Sequence, residues 1–107
     1  MKVNINEALN RLKGKLAENF GAGTEIFLFG SAARGEYGEF SDVDVLVLVP
    51  QEVDISLEEQ VFDLAFEVGL EYDIVFGVIV YSRRFWKTPR AAVMPLYESI
   101  KQEGIRI

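Results

Sequence analysis

The chain has 107 residues, half of them hydrophobic, a formal net charge of −6, and neither cysteine nor histidine. That length and apolar content predict one compact domain, residues 1–107, around one core, and exclude a disordered chain. The missing residue types exclude a disulfide framework, thiolate or histidine metal sites, and Ser-His-Asp or Cys-His catalysis, while the acidic balance makes a long polynucleotide a poor partner.

No signal-peptide core opens the chain, and no apolar run approaches the roughly 20 residues that span a bilayer. The expectation is a soluble protein with no membrane partner, and a reducing cytoplasm fits the absence of cysteine. Ile5, Leu9, Leu12, Leu16 and Phe20 recur at helical spacing and predict a helix over residues 5–20. Asn4 or Asn6 can cap its start, and Gly21 with Gly23 supplies the stop. Residues 24–29 read as a buried strand ending at Gly30. Residues 31–41 are rich in Gly, Ala and charge, and predict a turn, with room for one helical turn, then a loop.

Residues 42–49 alternate Asp and Val, then Leu and Val, up to Pro50. Apolar on both faces beyond its start, this strand belongs in the middle of a sheet. Ser56-Leu57-Glu58-Glu59 has the pattern of a capping box, with a stripe of Leu57, Val61, Leu64 and Val68 behind it and Gly69 as the stop. Residues 72–81 predict a third strand. Beyond Ser82 the chain is irregular, broken by Pro89 and Pro95; Pro95 suits the first turn of a last helix near residues 95–103, which Gly104 ends. Ile105 to Ile107 can add a short edge strand. The expected fold class is α/β (α+β): a small mixed sheet with helices packed on it, in the order α-β-α-β-α-β-α.

Arg83, Arg84, Lys87 and Arg90 are interleaved with Phe85 and Trp86. A solvated surface turn accounts for them most simply; a contact for an acidic partner or a nucleotide is the sharper alternative.

Chemistry concentrates at the ends of the strands. Side chains two apart on a strand share a face, so Asp42 and Asp44 point the same way and repel each other unless a cation lies between them. Mg²⁺ suits such a pair, because it takes one or two carboxylates together with phosphates and waters. Two exposed acids at a strand entrance would look the same. Asp73 opens an apolar strand, a costly place for an unpaired charge, and is the candidate third carboxylate; Glu71 and Asp63 are weaker rivals. Gly30 permits a sharp turn and a close approach by phosphate, and Ser31 adds a hydroxyl and an N–H. Arg34 can add positive charge, and Ser41 can brace the turn before Asp42. If Gly30, Asp42 and Asp73 meet one ligand, the first two strands run antiparallel and the second and third run parallel, with the helix at 57–69 as a right-handed crossover.

Gly30-Ser31, the Ala-Ala-Arg34-Gly35-Glu36 run, a gap of ten residues, and Ser41-Asp42-Val43-Asp44 heading a buried strand together resemble the signature of the polymerase-beta-like nucleotidyltransferase superfamily. Within it the chain looks like a minimal nucleotidyltransferase, the antitoxin of HEPN/MNT type, a likeness that covers most of the chain. The resemblance implies the nucleotidyltransferase fold. It implies that Gly30 and Ser31 bind phosphate, that Asp42 and Asp44 bridge metal, and that Asp73 is the third acid. It further implies Mg²⁺ as cofactor, as one ion or two, and a nucleoside triphosphate, ATP above all, as substrate. The implied reaction moves a nucleoside monophosphate to a hydroxyl, on a Tyr of a partner HEPN-type toxin. A non-catalytic antitoxin that neutralises its partner by binding is the alternative, and a small metabolite as acceptor a weaker one. Homo-oligomerisation stays open.

Overall fold

Seven consecutive residues of alternating and then continuous aliphatic character, Val43–Val49 (β2), form the second strand of a four-stranded sheet. The computed structural model describes residues 4–36, 38 and 42–107. Around β2 it places α1 (Ile5–Phe20), β1 (Glu25–Phe29), α2 (Gly30–Ala33), α3 (Ile55–Tyr72), β3 (Phe76–Ser82), α4 (Arg83–Trp86), α5 (Pro89–Ala92), α6 (Pro95–Glu103) and β4 (Ile105–Arg106). The sheet order is β3-β2-β1-β4. β1 runs antiparallel to β2, with Phe29 opposite Asp44, and β3 runs parallel to β2, with Gly77 opposite Asp44. The expected mixed α/β architecture and strand directions are therefore present, with α4 and α5 as short helical turns where the sequence suggests irregular chain.

Both faces of the sheet are covered, which explains the apolar run in β2. Val43, Val45, Val47 and Val49 point to one side and are fully buried with Leu9, Leu12 and Leu16 of α1 and Val61 and Val68 of α3. Leu46 and Leu48 point to the other side and pack with Ile100 of α6 in a smaller cluster that Phe27, Phe29, Tyr81, Trp86 and Leu96 border. The aromatic part of the basic segment belongs here. Phe85 stacks on Tyr81 with centroids 5.1 Å apart, and Trp86 meets Tyr97 at 5.1 Å.

Local signals set the helix ends, with two departures from expectation. Asn4 caps α1, its Oδ1 accepting from the Glu7 N–H at 2.9 Å. At α3 the cap is Asp54, whose Oδ1 accepts from the Leu57 N–H at 2.8 Å, not the Ser56 box. Gly69 does not stop α3; the helix continues to Tyr72 and closes with the Ile74 N–H donating back to the Gly69 carbonyl at 2.9 Å. A Cβ at Gly69 would collide with the Ile74 carbonyl, so this glycine serves the fold-back rather than the stop. Consequently β3 begins at Phe76, not at 72.

Among the described residues no helix is long and apolar enough to cross a membrane.

Leu12 is fully buried against the β2 valines. Leu12→Ala is expected to cost about 2–5 kcal/mol of stability, a large share of the roughly 5–15 kcal/mol of a typical domain. Chemical denaturation monitored by circular dichroism measures it. A loss below about 0.5 kcal/mol would mean that this layer is not the core.

Candidate active site

The two sheet faces end differently. On the α6 side, the covering helices seal Leu46 and Leu48 but stop short of the strand entrance, where Asp44 is half-buried and Asp42 exposed. Asp44 stands at the second position of β2, in register with Phe29 of β1 on one side and Gly77 of β3 on the other. Glycines flank its carboxylate. A Cβ on Gly30 would collide with Asp44 Oδ2, and one on Gly77 would lie 2.8 Å from Asp44 Oδ1 and 3.8 Å from Asp42 Oδ2. The bare backbone of Gly77 thus makes room for the Asp44 carboxylate, with the Asp42 carboxylate beside the same spot. Gly30 also has φ +73°, a left-handed conformation that a side chain disfavours.

The electrostatics follow from this placement. Partial burial raises the Asp44 pKa above the ordinary carboxylate value, and the neighbouring charge of Asp42 raises it further. A cation between the two would relieve both terms. That is the chemistry of a hard, oxygen-preferring ion such as Mg²⁺, and two carboxylates meet its usual protein complement when phosphates and waters supply the rest.

Gly30 begins α2, a single turn. Phe29 provides no side-chain cap, so the first-turn N–H groups face outward beside Asp44. Ser31 lies in this turn, and its carbonyl accepts from the Glu36 N–H at 2.8 Å, closing the loop behind it. Arg34 ends the turn. Its Nε donates to Glu36 at 2.9 Å and its Nη1 to Glu103 at 3.0 Å, and these partners raise its pKa further above its ordinary value. Glu103 of α6 therefore sets the position of the guanidinium, a role that no local motif announces because it spans 69 residues of chain. Ser41 lies outside the described residues.

Asp73 is not brought to the pair. It is exposed, takes the left-handed conformation (φ 56°, ψ 46°) that closes α3, and lines a groove with Phe66, Leu70 and Phe76. Phe76 packs toward the α1 and α3 layer, away from the face that carries Asp44. Among the described residues no group of three acidic side chains is arranged to hold a metal ion. The expectation that Asp73 opens a strand fails because the helix extends three residues past Gly69, and Asp is one of the few residues that accept the left-handed closing position. Gly77 is a site residue that the sequence reading passes over, although a glycine inside an apolar strand is itself a signal of close approach by another group.

Comparison with known proteins agrees with this geometry. A structure described as a candidate minimal nucleotidyltransferase is 26% identical and superposes with a TM-score of 0.61, covering 100% of this chain and 97% of its own. A chain of a toxin–antitoxin structure solved with AMP-PNP is 18% identical with a TM-score of 0.64 over 96% of this chain and 72% of that one, and so shares the fold. Two relatives from Methanocaldococcus jannaschii are named as candidate protein adenylyltransferases. One is 41% identical over 58 residues, 54% of this chain and 59% of the relative. The other is 38% identical over 82 residues, 77% of this chain and 74% of the relative. The matched segment thus spans less than two thirds of the first relative. The family model described as nucleotidyltransferase domain matches residues 9–104, and the chain belongs to that family, in its minimal form.

Proposed function

We propose that this chain transfers AMP from ATP to a hydroxyl on a partner toxin of HEPN type, and so acts as an antitoxin. The observation that carries the reading is the Asp42–Asp44 pair, admitted by Gly77 and set against the Gly30 turn. The names of the Methanocaldococcus jannaschii relatives support protein adenylylation, and the toxin–antitoxin neighbour with AMP-PNP supports a toxin partner and an adenine nucleotide.

Asp42 and Asp44 would hold Mg²⁺, which when bound supplies charge neutralisation on the triphosphate oxygens. The outward N–H groups of α2's first turn and the Ser31 hydroxyl hold phosphate oxygens, while Arg34, positioned by Glu103, adds positive charge beside them. The acceptor oxygen bonds to the α-phosphorus. The bond from that phosphorus to the oxygen bridging toward the β-phosphate breaks, and pyrophosphate leaves with the electron pair. The hydroxyl proton passes to water. Catalysis of this kind rests on positioning and electrostatics more than on covalent chemistry.

A second reading, neutralisation by binding alone, has one observation in its favour: among the described residues no third carboxylate joins the pair. Incubation with labelled ATP, Mg²⁺ and the product of the neighbouring gene, which this reading expects to be a HEPN-type toxin, separates the two. Label should enter the partner with the native chain and fall on the order of a hundredfold or more with Asp42→Asn/Asp44→Asn. Equal neutralisation by both, with no label moved, selects the binding reading.

The site assignment has its own checks. Calorimetry with ATP and Mg²⁺ should show binding lost in Asp44→Asn and unchanged in Asp73→Asn; the reverse result would restore Asp73 to the site.

The raised Asp44 pKa also has a sign. Because folding raises it, the contribution is present below the ordinary carboxylate pKa of roughly 4 and disappears as pH rises through the folded value. Without metal, Asp44→Asn should therefore raise Tm relative to the native chain near neutrality, and the gap should shrink on acidification. Millimolar Mg²⁺ should close the gap by stabilising the native chain alone. Thermal scans across pH, with and without Mg²⁺, measure both; a gap independent of pH would contradict the assigned electrostatics.

A further inference from the structure

The face of α3 turned away from the core is not polar. Phe66 and Leu70 are 68% and 69% exposed, Phe62 is also exposed, and the three follow at helical i, i+4, i+8 spacing. Beside them lies the outer edge of β3. β3 pairs only with β2, so its other edge has no strand partner among the described residues. Phe76 to Ser82 contain no charge and no proline, the usual devices that keep an open edge from pairing. Between helix and edge runs a groove of about 550 Å³, floored by Ala65, Gly69 and Ile74 and walled by Phe62, Phe66 and Phe76. Monomeric proteins seldom leave such an apolar surface uncovered.

Charge selects the occupant. Residues 51–82 contain eight acidic side chains and no Lys or Arg. Glu59, Asp63 and Glu67 follow the apolar stripe along α3 as its outer rim and form no ion pair among the described residues. Against a second copy, this rim would face another rim of the same sign on a chain of net charge −6. A segment with an apolar ridge flanked by Lys or Arg meets the groove in both respects.

Position ties the groove to chemistry. Val75, 65% exposed, lines it, and the Val75 carbonyl accepts from the Val43 N–H at 2.8 Å, between Asp42 and Asp44 in sequence. The groove therefore opens at the same end of the sheet as the acidic pair, on the α1–α3 face rather than the face that carries Asp44, so a bound protein would reach the pair around the strand entrance. We propose that the α3–β3 groove docks the acceptor protein through an apolar, basic-flanked segment and so presents its hydroxyl at the acidic pair. The identity of the occupant as acceptor rests on the adenylyltransfer reading; the docking surface does not.

The test uses the full chain and the product of the neighbouring gene as the partner protein. Phe66→Ser/Leu70→Ser and, separately, Asp63→Lys/Glu67→Lys are compared with Val93→Ser, an equally exposed apolar site elsewhere, and with Asp42→Asn/Asp44→Asn. All changed groove positions are at the surface; circular dichroism verifies the fold of every variant, and ATP calorimetry that of the groove variants and Val93→Ser. Complex affinity by surface plasmon resonance should fall tenfold or more for both groove variants. It should stay at the native value for Val93→Ser and for the acidic-pair variant. Label transfer at low acceptor concentration should fall in step with affinity. If affinity depends on the groove but even the native chain transfers no label, docking stands and the transfer reading fails. If both groove variants bind the partner as the native chain does, or if the free chain is a dimer that Phe66→Ser/Leu70→Ser dissociates, the docking proposal is overturned.

Discussion

A carboxylate set into the entrance of a buried central strand is the constraint around which this fold is arranged. Asp44 lies in register between Phe29 of β1 and Gly77 of β3, and the Val43 N–H just before it donates to the Val75 carbonyl at 2.8 Å, so the strand cannot shift here without breaking β2 from β1 or from β3. Its side chain can stand there only because residues on both flanks lack a Cβ. The charge remains uncomfortable, as its raised pKa records, and that discomfort is what a cation would relieve. Stability and function meet at one residue: the two-sided burial that fixes β2 also fixes the place where charge is needed.

Where local patterns report local physics, the sequence was easily legible. The stripe of α1, the two-faced apolar run of β2 and the Gly30 turn each named their own element, and the requirement that Gly30 and Asp42 share a ligand gave the antiparallel pairing that β1 and β2 adopt. The failures cluster at the end of α3. Gly69 looked like a helix stop because glycine usually is one, yet here it is needed for the returning chain, which approaches through the Ile74 carbonyl. That displacement moved the start of β3 and removed Asp73 from the strand. No periodicity reports such an error, because the cause is a contact between a helix and the chain that follows it. The Arg34–Glu103 pair was hidden for a similar reason, since it joins residues from opposite ends of the chain.

Charge is distributed in a way that the net value conceals. Arg83 and Arg84 are paired with Glu25 at 3.3 Å and Glu52 at 3.7 Å, while Phe85 and Trp86 turn into the smaller apolar cluster. The basic-aromatic segment is thus partly committed to the fold. The long acidic tract from 51 to 82 is less so: beyond Glu52, the Asp54 cap of α3 and the Arg11–Glu71 pair at 3.6 Å, acids such as Glu59, Asp63 and Glu67 form no ion pair among the described residues. Exposed pairs of this kind contribute little to stability, about 0–1 kcal/mol each. The unpaired acids, Glu59, Asp63 and Glu67, leave the outer face of α3 negative, a charge that would favour a basic partner over a second copy.

On the proposed reading, two carboxylates and an open apolar flank would divide the work of group transfer between two proteins. The chain would bind the triphosphate and hold its charge, while nothing among the described residues encloses an acceptor. Positioning is worth the most where the reacting partner is otherwise free, up to roughly 7–11 kcal/mol of a barrier. A 107-residue fold has too little interior to supply that orientation from within. Docking on the α3–β3 flank would supply it from outside, and would make rate depend on recognition: a hydroxyl on a protein that does not fit the groove would meet the same acids, but without orientation. Specificity would then reside in residues that take no part in the chemistry, and the lack of a third carboxylate at the pair would matter less than the surface that aims the acceptor.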